Sequence, residues 1–240
     1  MELVKIDFEK NRKNRQTTND TIIYDSIKSN NILLFNENIN QHALERILAK
    51  FKLNSVDQLI KKCNNNHDLC IAISMLISKN SSRQSTKDEI KQINICNTIG
   101  EKYNIKIENL NVNELRPTKN GEIINQKEMK KNNIKKDDCL KSFDAKISGN
   151  ISGYITAKVV YGNGGHQDNV FEEIDTIADW WKQYKKLSKE KLVVLIDTNL
   201  TSKFLRLKEK YSDVDNILFT NHYDFQLYMI ENYTKSLSSI

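Results

Sequence analysis

The second half of the chain alternates β-rich runs with amphipathic helical patterns, and this alternation limits the possible folds more than any other feature. Two β-rich runs come first, CLKSFDAKISG (139–149) and GYITAKVVYG (153–162), and the helical pattern VFEEIDTIADWWKQYKKL (170–187) follows. The remaining runs are LVVLIDT (192–198), SKFLRLKEKY (202–211), NILFTN (216–221) and YDFQLYMIENY (223–233). This order of strands and helices predicts an α/β (α+β) fold, a mixed sheet covered on both faces by helices.

The first 80 residues predict a different organisation, an N-terminal helical part (1–80) placed before the main core (81–240). Helical periodicity appears in QHALERILAKF (41–51), SVDQLIKK (55–62, with Ser55 as N-cap) and DLCIAISMLIS (68–78). The polar, basic segment 9–20 has no apolar period and is predicted to be a solvated loop, with a mobile or DNA-facing segment as the alternative. The two parts could also form one continuous domain.

The first part of the main core, after residue 80, is predicted to be one long helix followed by a poorly structured region. Ser85 is expected to cap the helix 86–103, with Ile90, Ile93, Ile95 and Ile99 on its buried side. Residues 104–134 contain a short strand candidate and a stretch rich in lysine and asparagine, which is typical of a loop.

The charge balance favours a polyanionic partner. Lys and Arg number 37 against 31 Asp and Glu, which gives a formal net charge of +6, and the sequence pI is about 8.9. No apolar run approaches the roughly 18 residues of a membrane span, and the opening MELVKIDFEK lacks the features of a signal peptide. We therefore expect a cytoplasmic protein without membrane contact, in which the four irregularly spaced cysteines stay reduced.

The two β-rich runs predict a hairpin that gathers polar side chains on one face. With the turn centred on Ile151, Asp144 lies opposite Lys158 and Lys146 lies opposite Thr156, so all four share a face. Alternation sends the apolar side chains Phe143, Ala145, Ala157 and Val159 to the other face. A solvated face with cross-strand Asp–Lys pairs would explain this pattern without any function. A catalytic surface is the alternative.

Phosphodiester hydrolysis needs a divalent cation, a carboxylate to hold it and often a lysine beside the attacking water. Asp144 early in one strand, followed by the triplet Thr156-Ala157-Lys158 on the next, resembles the PD-(D/E)XK nuclease superfamily, and the order of core elements also agrees. This sequence departs from the family pattern at Phe143, where proline is expected, and at Thr156, where the second acid is expected. A second carboxylate must therefore come from elsewhere.

Three residues are candidates for that second acid. Glu89 lies near the start of the helix that opens the core, Glu172 lies on the helix after the lysine strand, and Asp168 is third. Glu89 and Glu172 rank equally, and a solvated surface charge is the alternative for either. A competing register instead makes Asp144-Ala145-Lys146 the acid-x-Lys triplet, with Asp137 or Asp138 as the first acid.

Two segments near the hairpin carry side chains suited to DNA. The first is SSRQSTKDE at a helix start, and the second is the glycine-rich YGNGGHQDN after the lysine strand. The DNA-binding residues expected from them are Arg83, Gln84, Ser85, Lys87, Asn163, His166, Gln167 and Asn169. Arg83 and Gln84 are expected near base edges, whereas Arg12, Lys13 and Arg15 would contact phosphates if they meet DNA.

The strings SRQSTKDE and AKVVYGNGGHQDNVFEE resemble type II restriction endonucleases in particular, over roughly residues 81–230. The resemblance implies a homodimer that cuts double-stranded DNA at a short site with Mg²⁺, leaves 5′-phosphate ends, and acts beside a companion DNA methyltransferase. It also implies that Asp144, the Ala157 carbonyl, and Glu89 or Glu172 hold the metal, while Lys158 serves the chemistry. The alternatives are a non-catalytic sequence-specific DNA-binding protein and a repair or recombination nuclease of the same superfamily.

Overall fold

The computed structural model describes residues 3–80, 85–111, 114–162 and 165–233, and the side chains of Ser85 and of residues 165–167 are outside that description. The chain forms two compact units. One is Asp7–Thr86, and the other joins Met1–Ile6 to Lys87–Ile240. The division after Thr86 falls six residues beyond the predicted boundary at 80, and the first residues go with the larger unit.

The smaller unit is helical in its described part. Its helices are α1 (Phe8–Lys28), α2 (Ile32–Asn38), α3 (Gln41–Phe51), α4 (Val56–Asn64) and α5 (His67–Ile77). Each begins after an Asp, Asn or Ser whose side chain accepts a hydrogen bond from the third backbone N–H of the helix, and Ser55 is the predicted N-cap of α4. Apolar side chains from all five helices form one buried cluster.

The prediction that residues 9–20 form a loop was wrong, because they lie within α1. Asp7 caps the helix by accepting a hydrogen bond from the Lys10 N–H at 2.8 Å, and the buried residues Ile23 and Ile27 anchor its last turns. The apolar anchors fall outside the polar stretch, so periodicity within 9–20 cannot reveal the helix. Arg12 is buried, which places it poorly for a DNA phosphate.

The larger unit contains helices α6 (Ser85–Gly100), α7 (Gln126–Lys131), α8 (Gly165–Lys185), α9 (Thr201–Lys210) and α10 (His222–Tyr233). Its strands are β1 (Ile105–Asn109), β2 (Leu115–Pro117), β3 (Ile123–Asn125), β4 (Ala145–Gly149), β5 (Gly153–Val160), β6 (Lys191–Thr198) and β7 (Ile217–Thr220). Within the described part of the chain, no helix combines the length and the apolar character needed to cross a membrane.

The main sheet has five strands in the order β1-β4-β5-β6-β7. The β1–β4 and β4–β5 pairs are antiparallel, whereas β5–β6 and β6–β7 are parallel. The parallel pairs follow from the crossover helices α8 and α9, which return the chain to the same end of the sheet. The predicted mixed sheet is therefore confirmed.

Helices cover both faces of this sheet, as the sequence predicted. On one face, α6 and α10 pack on Ala145, Ile155, Ala157 and neighbouring residues. On the other, α8 packs on Tyr154 and the alternate residues of β6. The expected buried side of α6 needs one correction, because Ile90 is 45% exposed while Ile93 and Ile99 are buried. Ile90 is two residues from both Asp88 and Gln92, which are buried, so it lies on the opposite side of the helix.

The hairpin register differs from the prediction by two residues. Ala145 pairs with Ile155 and Ile147 pairs with Gly153, so the turn centres on Asn150 and not on Ile151. Gly149 ends β4 with φ +101°, and a Cβ there would lie 2.0 Å from the Asn104 carbonyl oxygen, which ties this position to glycine. Because side chains alternate with a period of two, the shift leaves Thr156 and Lys158 on the predicted face.

Phe143 does not lie with Ala145, which corrects a second detail of the hairpin. Phe143 packs in the α8 core and stacks on Tyr154 with ring centroids 4.6 Å apart, while Ala145 belongs to the opposite core. The strand begins only at Ala145, so the alternation does not extend back to Phe143.

The region 104–134 has more structure than the predicted strand and loop. The strand candidate is β1, but β2 and β3 then form a separate two-stranded antiparallel sheet, and α7 follows directly. Gly121 turns the chain between them with φ +93°. Asn125 and Glu128 form a capping box at the start of α7. The strands are three residues long, too short for a periodic signal.

A buried polar network explains why the first residues belong to the larger unit. The Ile6 N–H donates to His222 Nε2 at 3.0 Å, so the ring proton is on Nδ1, which donates to Asp197 Oδ1 at 2.7 Å. Val4 and Gln226 exchange two further hydrogen bonds. Residues 4–6 are thereby fixed to α10.

Thiol reactivity should follow burial in this fold. Burial raises the pKa of all four thiols, that of Cys63 to about 11, but Cys139 is partly exposed whereas Cys63, Cys70 and Cys96 are buried. We expect a thiol reagent at neutral pH to modify Cys139 first and the other three only slowly. The Cys139→Ser variant should lose the fast phase. A fast phase that persists in this variant would contradict the burial of the other cysteines.

Candidate active site

Asp144 is the first residue of the candidate site and lies immediately before β4. Its N–H donates to the Ile155 carbonyl at 2.9 Å, which fixes the backbone beside β5. Its Oδ2 accepts a hydrogen bond from the Ala157 N–H at 2.7 Å. The carboxylate is thus held against β5 while its side chain stays 28% exposed. A role of the Ala157 carbonyl as a metal ligand stays a prediction.

Lys158 extends from β5 towards two carboxylates. Its Nζ lies 3.4 Å from Asp144 Oδ2 and 3.7 Å from Glu173 Oε1, and its side chain is 15% exposed. Burial by itself lowers the pKa of Lys158, but the negative charges of Asp144, Glu89 and Glu173 outweigh it, so the pKa is raised. Lys158 is therefore an ammonium ion at neutral pH, suited to stabilising negative charge.

Glu173 on α8 is the acid that the structure brings to Lys158, and the sequence reasoning missed it. Its Oε1 is buried and, among the described residues, has no hydrogen-bond partner, since the Lys158 contact exceeds hydrogen-bond distance. A helical signal was present, because Glu173 precedes the buried residues Ile177 and Trp181 by four and eight positions. That spacing places Glu173 on the side of α8 that faces the sheet.

Lys141 is the second residue that sequence reasoning missed as part of the site. Its Nζ forms an ion pair with Glu173 Oε2, and its side chain is 66% exposed. The backbone around it is fixed, because Arg116 donates to the Leu140 carbonyl at 3.1 Å and the Phe143 N–H donates to the Leu115 carbonyl at 3.0 Å. The charges thus form a row in which Lys141, Glu173, Lys158 and Asp144 alternate.

The three predicted sources of the second acid have different positions. Glu89, in the second turn of α6, is half-buried, and its charge contributes to the raised pKa of Lys158. Glu172 is exposed on α8 and lines a groove of about 580 Å³ against α9. Asp168 lines the same groove and pairs with Lys203. Glu89 therefore lies near Lys158, whereas Glu172 and Asp168 face α9.

The competing register receives little support from the geometry. Asp137 and Asp138 are exposed in a short 3₁₀ helix, Lys136–Asp138, and Asp138 accepts a hydrogen bond from the Lys135 N–H. Lys146 is also exposed, and its charge acts on Glu108 of β1. Lys158, in contrast, is enclosed beside Asp144.

The expected DNA-binding residues fall mostly outside the described part of the chain. Arg83, Gln84 and Asn163 lie in undescribed segments, and the side chains of Ser85, His166 and Gln167 are likewise outside the description. Lys87 and Asn169 are described and exposed, at the starts of α6 and α8. Their contacts with DNA stay predictions.

Mg²⁺ needs oxygen ligands, and the carboxylates around Lys158 are the candidate donors. Among the described residues, no group of three or more His, Cys, Asp or Glu side chains is arranged to hold a metal ion. Mg²⁺, however, is commonly held by one or two carboxylates, with water and substrate phosphate as the other ligands. Asp144 and Glu173 both contact the Lys158 ammonium, and the buried Oε1 of Glu173 retains acceptor capacity. The residues present fit a Mg²⁺ site of this kind.

Comparisons with known proteins gave no match: no family profile fits this chain, and no curated protein or solved structure is significantly similar to it. The function must therefore be inferred from the site itself.

Proposed function

We propose that this protein is a Mg²⁺-dependent endonuclease that hydrolyses phosphodiester bonds of double-stranded DNA, of the type II restriction kind within the PD-(D/E)XK superfamily. The observation that carries the proposal is the Lys158 ammonium ion, which lies between Asp144 and Glu173 near the C-terminal end of β5, the central strand of the five-stranded mixed sheet. Metal-assisted phosphodiester hydrolysis uses carboxylates to hold the metal ion and a positive charge beside the phosphate. Asp144 and Glu173 would supply the carboxylates, and Lys158 would supply the positive charge.

The residues around Lys158 have distinct tasks in this proposal. Asp144 and Glu173 would hold Mg²⁺, which when bound polarises the phosphate and lowers the pKa of a water molecule. Lys158 stabilises the negative charge that develops on the phosphate, because its raised pKa keeps it protonated. Glu89 adds negative charge that keeps Lys158 protonated. The Ala157 N–H fixes the orientation of Asp144.

The arrangement of the core supports the superfamily assignment. Asp144 immediately precedes the second strand of an antiparallel series, β1-β4-β5, Lys158 lies on the third, and α8 crosses over to the parallel strand β6. The sequence resemblance has the same order. Glu173 takes the place of the acid absent at Thr156. A homodimer and a companion methyltransferase belong to this proposal through the resemblance alone.

Site-specific cutting should appear on phage DNA. We expect the purified protein with Mg²⁺ to yield a small set of discrete fragments, and the chelator EDTA to suppress them, because the two carboxylates need a divalent cation to act. Sequencing of the fragment ends then gives the recognition sequence and the cut position. A continuous smear would instead indicate a repair or recombination nuclease without a fixed site.

The rival proposal is a non-catalytic, sequence-specific DNA-binding protein. It is favoured by Thr156, which stands where the family has an acid, and whose buried Oγ1 has no hydrogen-bond partner among the described residues. This rival predicts sequence-selective binding that is unaffected by Mg²⁺ and no cutting under any metal. Electrophoresis of the bound DNA after protein removal separates the two proposals, because only the nuclease shortens it.

A further inference from the structure

Within the described part of the chain, Glu173 is contacted by two lysines that differ greatly in exposure. Lys141 pairs with Oε2 and Lys158 with Oε1, yet the Lys141 side chain is 66% exposed while the Lys158 side chain is 15% exposed. Lys158 is also shared with Asp144. The enclosed Lys158 ammonium ion is therefore shared by Asp144 and Glu173, and Lys141 supplies a second positive charge beside Glu173.

This charge balance changes when a divalent cation shares the same carboxylates. A largely buried carboxylate needs a counter-charge, and Lys141 provides it in the metal-free protein. With a doubly charged ion at Asp144 and Glu173, a lysine beside Glu173 is in excess and is repelled. Of the two lysines, only Lys141 is exposed enough to leave, since its stem is flexible and its backbone stays fixed by Leu115 and Arg116.

We infer that Lys141 holds Glu173 in the metal-free protein and transfers to a phosphate of the DNA in the metal-bound protein. Lys141 is then a positioning residue that couples metal loading to substrate binding. This inference rests on the proposed function. It requires that removal of Lys141 makes metal binding easier and DNA binding weaker, two effects of opposite sign that a purely structural role would not produce.

The test measures Ca²⁺ affinity without DNA by calorimetry, and DNA affinity in Ca²⁺ at several salt concentrations. For Lys141→Met we expect Ca²⁺ to bind about three- to five-fold more tightly, the range that loss of one exposed ion pair supports. The slope of DNA affinity against salt should fall by about one, as for one lost phosphate contact. Lys141→Arg, which keeps the charge, should retain the wild-type salt slope.

The control is Lys136→Met, which removes the same charge from an exposed position five residues earlier. It should leave the Ca²⁺ affinity within about two-fold, as expected for a surface change away from the site. Unchanged or weaker Ca²⁺ binding by Lys141→Met, or an unchanged salt slope, overturns the inference while wild-type cleavage leaves the proposed function standing. If the wild-type protein neither binds Ca²⁺ nor cuts DNA with Mg²⁺, the proposed function fails, and the inference fails with it.

Discussion

Lys158→Met is expected to lower the rate of DNA cleavage by about 10²–10³-fold, the usual cost of removing one charge-stabilising group from an active site. Methionine keeps the length of the side chain but removes the ammonium ion that contacts both Asp144 and Glu173. Binding of duplex DNA in Ca²⁺ should stay within a few-fold, because Lys158 is enclosed and its proposed role is in the chemistry more than in phosphate neutralisation. Initial rates on plasmid DNA measure the loss.

The matched control is Lys146→Met, which changes an exposed lysine on the neighbouring strand. It should cut at nearly the wild-type rate. If Lys146→Met loses cleavage and Lys158→Met retains it, the acid-x-Lys triplet is Asp144-Ala145-Lys146 and our assignment is wrong. The raised pKa of Lys158 adds a second expectation. The ammonium ion is lost only as pH rises through a value above the ordinary lysine range, so its charge persists at neutral and mildly alkaline pH.

Glu173→Gln is expected to reduce Mg²⁺-dependent cleavage by about 100-fold or more. Changes to residues that only orient a metal ligand already cost about 10–100-fold, and the loss of a ligand should cost at least the upper end of that range. Glutamine has nearly the same shape, so the packing of α8 should be kept, but the proposed anionic ligand is lost. Glu172→Gln makes the same change one residue away, on the exposed side of α8, and should alter the rate by no more than about two-fold.

Comparison of the Glu172→Gln and Glu173→Gln variants shows which carboxylate is needed for Mg²⁺-dependent cleavage. Mg²⁺ titrations of the cleavage rate should show a higher half-saturating concentration for Glu173→Gln than for wild type and Glu172→Gln. A large loss in Glu172→Gln together with full activity in Glu173→Gln would place the acid on the α9 side of the helix. Full activity of both variants would leave Glu89 as the remaining described candidate.

The position of Lys158 beside Asp144 was predictable because strand alternation is robust. The predicted turn was wrong by one residue and the pairing by two, yet a shift of two keeps every side chain of β5 on its face. Phe143 shows the limit of that reasoning, because alternation applies only inside a strand and β4 begins two residues later.

Glu173 and α1 were missed for different physical reasons. Glu172 and Glu173 can be distinguished only if it is known which side of α8 faces the sheet. Ile177 and Trp181 define that side, but their contact with the sheet is known only from the structure. The polar residues 9–20 give no helical pattern, because the N-cap Asp7 and the buried residues Ile23 and Ile27 of α1 lie outside that stretch. Lys141 lies before β4 and outside any helix or strand, where no periodicity predicts the direction of a side chain.

Mg²⁺-dependent cleavage at Asp144 is tested most directly by comparing wild-type protein and Asp144→Asn, purified in parallel. The measurement is conversion of supercoiled plasmid to linear DNA with and without Mg²⁺. Asparagine can still accept the Ala157 N–H but has no charge for a metal. Equal melting temperatures would establish that both proteins are folded. We expect Mg²⁺-dependent linear DNA from the wild type and intact plasmid from Asp144→Asn. Equal cutting by both proteins, or intact plasmid with both, would contradict this expectation.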